Sequence, residues 1–321
     1  MKILVSPTSF KPDSSGPAAQ LLREFVSNGG GELVFNPYGR PLTEDELPGL
    51  LQGCTGFIAG LDFITKKVID SCNNLKVISR YGNGYDRVDL EAAKARNIPV
   101  CITPGANSQA VADLTFALLL CIARKVPMLD SKTKEGQWVR STGMEIYGKT
   151  IGIIGLGAIG KGVAKRAQGF SMRVLAYDPF IDKKYAKENN IEVSSLNELI
   201  KNSDIITLHT PLSDETRYII SKETIGRMKK GAILINTARG GLIDEQAAYE
   251  HLKSGWLGGL GLDAYEEEPP KVSPLFKLDN VVLTPHTGAH TEEAITNMAL
   301  MSVQNLIDVL SGKPCPYIVN C

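Results

Sequence analysis

The sequence lacks an excess of charge of either sign. Its 321 residues contain 35 Lys and Arg against 35 Asp and Glu, so the formal net charge is zero. It also lacks a long apolar run: the longest candidate, Leu114 to Ala123, stops at Arg124. That run falls well short of the ~20 residues of a membrane helix. We therefore expect neither nucleic acid nor a membrane as a partner.

Cysteine is scarce as well, and the spacing of the cysteines indicates neither a redox pair nor a metal site. No two cysteines form C-x-x-C, and none lies near a histidine at the spacing of metal ligands, so we expect no metal site. The N-terminus lacks the long apolar core of a signal peptide. These absences favour a reduced, cytoplasmic protein. The six cysteines are Cys54, Cys72, Cys101, Cys121, Cys315 and Cys321.

The most informative pattern that is present is a glycine motif between two apolar runs. The run Thr150 to Ile154 predicts a buried strand, and a helix is expected over 161–170. Between them, G-x-G-x-x-G is filled by Gly155, Gly157 and Gly160. The first glycine permits a tight turn, the second lets a pyrophosphate approach the backbone, and the third lets the helix pack close to the strand.

A second strand, Arg173 to Tyr177, ends in Asp178. This carboxylate can accept hydrogen bonds from both ribose hydroxyls of a dinucleotide and would repel a 2′-phosphate, so the predicted cofactor is NAD. The helix N-terminus offers N–H groups and a positive dipole end to the phosphates, with Ala158 and Ile159 inside the motif. A glycine-rich turn that binds nothing is the simpler alternative. The motif follows a predicted strand, opens a predicted helix and is followed by an acid, Asp178, at the end of the next strand. This context favours dinucleotide binding.

Strand-like and helix-like segments alternate along the chain, which indicates an α/β fold with parallel sheets covered on both faces. A chain of 321 residues exceeds what one compact core usually serves, so we expect two domains. The strand series that contains the glycine motif makes the NAD-binding domain, residues 104–289. Residues 1–103 and 290–321 then form the substrate domain.

Polar residues interrupt the apolar pattern at several strand ends, where an open parallel sheet binds its ligands. Arg239, Glu268 and His286 lie in such segments. A guanidinium can hold a carboxylate through two hydrogen bonds, and an imidazole can exchange a hydroxyl proton near neutral pH. An adjacent carboxylate can orient the imidazole. These three types suit hydride transfer between a nicotinamide cofactor and a 2-keto acid.

Several motifs in order resemble the D-isomer-specific 2-hydroxyacid dehydrogenase family, in particular its phosphoglycerate dehydrogenase-like branch. They are residues 79–89, Thr103-Pro104-Gly105-Ala106-Asn107-Ser108, the glycine motif, His209-Thr210-Pro211-Leu212, residues 236–244, residues 263–269 and Pro285-His286. The resemblance implies that His286 is the acid/base, that Glu268 is its partner and that Arg239 binds the substrate carboxylate. It implies two Rossmann-like or flavodoxin-like domains, the cofactor domain inserted into the substrate domain, and a homodimer through the cofactor domain.

The resemblance also assigns the remaining site residues. Asp263 would contact the nicotinamide amide, and Thr210 would lie on the adenosine side. Beyond the glycine motif, the expected cofactor-binding residues are Asp178, Thr210, Pro211, Thr237, Ala238, Asp263, His286 and Gly288. The expected substrate-binding residues are Arg80, Tyr81, Gly82, Asn83 and Arg239.

One departure from the family pattern bears on the substrate. Phosphoglycerate enzymes place basic residues of the first domain around the substrate phosphate, and Arg80 fits one such place. The other loop, residues 59–63, has no base and one acid, Asp62. We therefore expect an anionic substrate of the phosphoglycerate or of the hydroxypyruvate and glyoxylate type. A NAD-sensing corepressor-like binding protein on the same fold remains the alternative function.

Overall fold

The computed structural model describes residues 1–320, and Cys321, the last of the six cysteines, lies outside the described residues. The chain divides into two compact units. The first unit is Met1–Asn107 together with the segment from His290 onward, and the second unit is Ser108–Ala289. Within the described residues, no helix combines the length and the apolar character needed to cross a membrane.

The strands are short and regularly spaced along both units. They are β1 (Lys2–Val5), β2 (Glu32–Phe35), β3 (Gly56–Ala59), β4 (Val77–Arg80), β5 (Val100–Cys101), β6 (Thr150–Ile154), β7 (Arg173–Tyr177), β8 (Glu192–Val193), β9 (Ile205–Leu208), β10 (Ile233–Asn236), β11 (Gly259–Leu262) and β12 (Val281–Leu283).

Helices connect nearly every pair of consecutive strands. They are α1 (Pro17–Asn28), α2 (Leu47–Leu51), α3 (Lys66–Ser71), α4 (Leu90–Ala95), α5 (Ser108–Arg124), α6 (Val126–Lys134), α7 (Ala158–Gly169), α8 (Lys183–Glu188), α9 (Leu196–Asn202), α10 (Lys222–Gly226), α11 (Glu245–Lys253) and α12 (Glu292–Leu310), with a short 3-10 turn at Pro274–Lys277.

The first unit is built on a five-stranded parallel sheet in the order β2-β1-β3-β4-β5. One face buries apolar side chains of α1 and α12, including Leu22, Val303 and Leu306. The other face buries residues of α2, α3 and α4, such as Leu47 and Val68. Because both faces are covered, the central strands are apolar throughout.

The second unit holds a seven-stranded parallel sheet in the order β12-β11-β10-β9-β6-β7-β8. The strand order reverses at β6, so the carboxyl ends of β6 and β9 flank the point where ligands bind in such sheets. Apolar residues of α5 and α7 pack on one face, and those of α9, α10 and α11 pack on the other. The expected fold class, two α/β units with parallel sheets and one inserted into the other, is confirmed.

Two helix boundaries differ from the sequence expectation. Helix α7 begins at Ala158 rather than at residue 161, because Gly157 in extended backbone is already the N-cap. The spacing Thr43-x-x-Glu46 is a capping-box pattern and predicts a short helix directly after Thr43, but α2 begins only at Leu47. The Glu46 side chain accepts the Thr43 N–H at 2.9 Å, so this half of the capping box forms ahead of the helix.

Candidate active site

The three motif glycines differ in what surrounds them. Gly155 has φ +95°, and a Cβ there would lie 2.5 Å from the carbonyl oxygen of His209. A Cβ on Gly160 would overlap the Gly155 carbonyl oxygen. At Gly157, within residues 1–320, no heavy atom beyond the chain neighbours lies within 4 Å of the Cβ position. Two glycines therefore permit close backbone packing, and Gly157 alone leaves open space in which a phosphate can approach.

Open space at Gly157 coincides with the N-terminus of α7. Ala158 and Ile159 are the first two residues of this helix, and the first N–H groups of a helix have no partner inside it. These N–H groups and the positive end of the helix dipole favour an anion at this point. The residues present therefore fit the diphosphate of a dinucleotide.

Asp178 lies directly after β7, half-buried beside the glycine turn. One carboxylate oxygen accepts the Leu156 N–H at 2.8 Å, and the other accepts the Phe180 N–H at 2.8 Å. The carboxylate thus ties the glycine turn to the end of β7. Each oxygen has a further lone pair, so the predicted contact with ribose hydroxyls remains compatible with this geometry.

The other expected cofactor residues follow neighbouring parallel strands of the same sheet. Their positions are Thr210 and Pro211 after β9, Thr237 and Ala238 after β10, Asp263 after β11, and His286 and Gly288 after β12. The Thr115 hydroxyl on α5 donates to the Val111 carbonyl at 2.9 Å, so the Thr237 hydroxyl donates to Thr115 at 3.0 Å.

His286 and Glu268 form a direct pair. The Nδ1 atom of His286 lies 2.9 Å from Oε1 and 3.0 Å from Oε2 of Glu268. Their side chains are 28% and 14% exposed, so the pair is partly shielded from water. A carboxylate accepts, so Nδ1 carries the proton and Nε2 is the ring nitrogen left to exchange a proton with a ligand. Glu268 is itself oriented, because its Oε1 accepts the Tyr265 N–H at 3.2 Å.

Asp263 anchors the loop that carries His286. This buried carboxylate accepts the Thr284 hydroxyl at 2.7 Å and the Thr287 N–H at 2.7 Å through Oδ1, and the Gly288 N–H at 2.8 Å through Oδ2. His286, at φ +52°, adopts the left-handed conformation that non-glycine residues rarely adopt. Asp263 therefore holds both sides of this strained position, a role that the sequence pattern did not reveal.

Arg239 lies in a tight turn after β10. The buried Asn236 side chain closes that turn: its Nδ2 donates to the Arg239 carbonyl at 2.7 Å, and its Oδ1 accepts the Ala238 N–H at 3.0 Å. The Arg239 guanidinium, half-buried, donates from Nη1 to the Ala238 carbonyl at 2.7 Å. Asn236 is a second residue that sequence reasoning missed, although a buried amide at a strand end is a recognisable turn signal.

In the first unit, Arg80 is buried at the end of β4, with 3% of its surface exposed. Its guanidinium donates to the carbonyls of Gly60, Ala59 (3.3 Å) and Gly84 (3.0 Å). It therefore ties the loop at residues 59–63 to the loop at residues 81–84. The expectation that Arg80 contacts the substrate stays a prediction, and this geometry adds a structural role.

The other expected substrate residues of the first unit follow Arg80 directly. The Tyr81 hydroxyl donates to the Ile295 carbonyl at 2.9 Å, and burial raises the pKa of Tyr81. Gly82 has φ +148°, and Asn83 is exposed. The loop at residues 59–63 carries no base on its surface. Its one acid, Asp62, is buried and accepts N–H groups of Leu42 at 2.7 Å and Gly60 at 3.1 Å.

His209, at the end of β9, belongs to one of the family motifs, but the sequence assigned it no role. Its Nε2 lies 2.9 Å from the Thr207 hydroxyl, and burial lowers the pKa of this imidazole to about 3. Its Nδ1 is buried without a hydrogen-bond partner among the described residues. The ring is therefore neutral at physiological pH.

The family model and curated proteins of similar sequence place the chain in the same family. The model of the D-isomer specific 2-hydroxyacid dehydrogenase family, NAD binding domain, matches residues 116–288. A D-3-phosphoglycerate dehydrogenase of Methanocaldococcus jannaschii is 48% identical over 80% of this chain and 50% of its own length. A glyoxylate reductase of Korarchaeum cryptofilum is 41% identical over 84% of both chains. The chain thus spans about half the length of the phosphoglycerate dehydrogenases that it matches.

A solved structure agrees with the sequence relatives. The D-lactate dehydrogenase of Aquifex aeolicus, in complex with NAD and lactic acid, is 27% identical, with a TM-score of 0.84 over 97% of this chain and 96% of that one. The chain belongs to the D-isomer specific 2-hydroxyacid dehydrogenase family. The predicted family is confirmed, and so is the presence of its NAD-binding domain in this chain.

Proposed function

We propose that the protein interconverts a 2-keto acid and the corresponding D-2-hydroxy acid with NAD(H). The observation that carries this proposal is the His286–Glu268 pair, in which Nδ1 lies 2.9 and 3.0 Å from the two carboxylate oxygens. The pair and the Arg239 turn lie at the carboxyl ends of neighbouring strands of the same parallel sheet. We assign the cofactor to residues 104–289, and the substrate domain to residues 1–103 and 290–321. The family model and its description support this division.

The residues divide the chemistry of carbonyl reduction between them. NADH, when bound, supplies the hydride that reaches C2 of the keto acid. His286 donates the Nε2 proton to the carbonyl oxygen, which becomes the hydroxyl, and the same atom takes the proton back in the oxidation direction. Glu268 accepts the Nδ1 proton in a hydrogen bond, which orients the ring and stabilises the imidazolium. Arg239 holds the substrate carboxylate.

For the cofactor, the proposal assigns the diphosphate to Gly155, Gly157, Gly160 and the first turn of α7, and the ribose to Asp178. No Lys or Arg occurs in Pro179-Phe180-Ile181-Asp182, so nothing next to Asp178 in sequence offsets its charge. A 2′-phosphate would meet this carboxylate directly. We therefore assign NAD rather than NADP.

For the substrate, we favour a short 2-keto acid of the glyoxylate or hydroxypyruvate type over a phosphorylated one. Arg80 already donates to three backbone carbonyls, and the acid of the neighbouring loop, Asp62, adds negative charge instead of a second base. A phosphate needs cationic partners, and the loops at residues 59–63 and 81–84 of the first unit contain no Lys or Arg. Both kinds of activity occur in the names of the relatives.

A substrate screen tests the proposal. NADH consumption is measured by its absorbance with glyoxylate, pyruvate, hydroxypyruvate, phosphohydroxypyruvate and bulkier keto acids, and D- against L-product is determined enzymatically. We expect turnover with a short keto acid and formation of the D-isomer. A chain that binds NADH but consumes it with no keto acid would be the corepressor-like binding protein instead.

We further propose a homodimer formed through the second unit. Large apolar side chains are exposed there: Trp138 is 86% and Tyr147 68% exposed. Tyr147 also lines a pocket of about 520 Å³, together with Leu120, Met144, Ile146 and Phe170, among others. Exposed apolar groups of this size mark interaction surfaces. Light scattering should give twice the mass of the chain, and Trp138→Ser with Tyr147→Ser should shift it to the monomer.

A further inference from the structure

The start of α11 and the loop that carries Glu268 hold each other by two reciprocal hydrogen bonds. The Glu266 N–H donates to Oε1 of Glu245 at 2.9 Å, and the Glu245 N–H donates to Oε1 of Glu266 at 3.3 Å. The Tyr218 hydroxyl donates to the other oxygen of Glu266, also at 3.3 Å. We call the reciprocal pair of residues 245 and 266 the carboxylate clasp.

The clasp brings two acids together at the start of α11, in addition to the residue that caps this helix. Helix α11 already has an N-cap, because the Asp244 side chain accepts the Ala247 N–H at 2.9 Å. Burial raises the pKa of Glu245, and the neighbouring charge of Glu266 raises it further, against the lowering effect of the hydrogen bond from the Glu266 N–H. Glu266 is exposed and Glu245 is half-buried, so the two like charges repel each other while each carboxylate accepts a backbone N–H of the other residue.

What the clasp fixes is the residue next to Glu266. The Tyr265 N–H donates to Glu268, and the Tyr265 hydroxyl donates to the Thr284 carbonyl at 2.7 Å, two residues before His286. The Tyr265 carbonyl lies so close to Gly240 that a Cβ on that glycine would overlap it. Tyr265 thus contacts all three segments that carry the proposed catalytic residues.

We propose that Glu245 is a positioning residue that acts through the carboxylate clasp. The clasp ties the Tyr265–Glu266 peptide to the helix that follows the Arg239 turn, and it thereby fixes Glu268 and His286 relative to Arg239. The proposal rests on the proposed function, because positioning has a kinetic effect only if these three residues act together. The clasp itself touches neither substrate nor cofactor in this account.

Three variants test the proposal kinetically. Glu245→Ala removes the acceptor, Glu245→Gln keeps an acceptor oxygen without the charge, and Gln246→Ala is the matched control on the exposed side of the same helix turn. We expect Glu245→Ala to lower kcat about tenfold, less than the ~10²-fold that a 1 Å misplacement can cost, with NADH affinity unchanged. The alkaline limb of its pH–rate profile for reduction should move to lower pH, because Glu268 stabilises the imidazolium less well.

The conservative variant separates positioning from charge. Glu245→Gln should recover kcat to within about threefold of the wild type and restore the pH profile, and Gln246→Ala should match the wild type. Equal damage in Glu245→Gln and Glu245→Ala, or a wild-type rate and pH profile in Glu245→Ala, would overturn the proposal. If Glu245→Ala does not fold, Glu266→Ala breaks the same clasp from its other side and is read by the same criteria.

A second readout does not depend on turnover. Backbone hydrogen exchange of residues 264–268 should accelerate in Glu245→Ala and stay at the wild-type rate in Glu245→Gln and Gln246→Ala. Unchanged exchange in Glu245→Ala contradicts the clasp. If the wild type reduces no keto acid at all, the proposed function fails, and the exchange rates still decide whether the clasp holds the loop.

Discussion

The contrast between Gly157 and Gly160 gives a sharp prediction about cofactor binding. Gly157→Ala places a methyl group in open space, whereas Gly160→Ala places one against the Gly155 carbonyl oxygen. The first change should therefore affect a bound ligand, and the second should affect the fold. Since both glycines belong to one motif, Gly157 as the N-cap and Gly160 in the first turn of α7, each variant controls for the other.

The magnitudes follow from the local geometry. If the Gly157 methyl displaces the diphosphate from one N–H group at the start of α7, the loss of one charge-assisted hydrogen bond is ~1.5–3 kcal/mol, or about 10- to 100-fold in the Kd of NADH. The melting temperature should stay close to the wild type. In Gly160→Ala the backbone must shift to relieve the overlap, which costs ~1–3 kcal/mol of stability.

Two measurements decide the outcome: NADH fluorescence titration for the Kd and thermal unfolding without cofactor. We expect weak NADH binding with a near-normal melting temperature for Gly157→Ala, and a lowered melting temperature for Gly160→Ala. Wild-type NADH affinity in Gly157→Ala would refute the assignment of this turn to the diphosphate. Equal destabilisation of both variants would refute the contrast in packing.

Three further predictions concern single side chains. Asp178→Ala should narrow the preference for NADH over NADPH in kcat/KM, and equal use of both cofactors by the wild type would contradict the role of this carboxylate. Arg80→Ala should lower kcat/KM for glyoxylate and phosphohydroxypyruvate alike and reduce thermal stability, because Arg80 ties two loops together; a loss confined to the doubly charged substrate would indicate a substrate contact instead. The pKa of His209 is lowered by burial to about 3, so below about pH 6.5 the unfolded chain binds the proton and the folded chain does not. Stability should therefore fall as the pH drops from about 6.5 towards 3, by about tenfold in the unfolding equilibrium constant for each pH unit, and denaturant unfolding should show that His209→Gln lacks this part of the acid dependence.

The sequence predicts the central strands of the second unit well. The bounds expected for β6 and β7 agree with the structure, because each apolar run has clear ends: β6 stops at the turn glycine Gly155, and the apolar run of β7 lies between Arg173 and Asp178. Helix α6 was not predicted: it buries none of its residues, so its sequence carries no apolar stripe. The sequence predicts the start of α7 three residues too late, because glycine has a low helix propensity and masks the first turn.

The candidate site is predictable in its residue types and not in its contacts. Arg239, Glu268 and His286 stand out because polar residues follow apolar strands. The hydrogen bonds that orient them join segments far apart in sequence, such as Asp263 with Thr287 and Gly288, or Glu245 with Glu266. A pattern of residue types contains no information on such pairings, which depend on how neighbouring strand ends pack. For the same reason, the sequence does not predict that Arg80 joins the loops at residues 59–63 and 81–84 by hydrogen bonds to their carbonyl groups.

The most direct test of the central claim is the rate of keto-acid reduction by His286→Ala. If the Nε2 proton of His286 goes to the substrate oxygen, kcat should fall roughly 10²–10⁴-fold while the Kd of NADH stays within about twofold of the wild type. His251→Gln, which alters another half-buried imidazole of the second unit, serves as the control and should keep its rate. A His286→Ala enzyme that works within a few-fold of the wild-type rate would contradict the account.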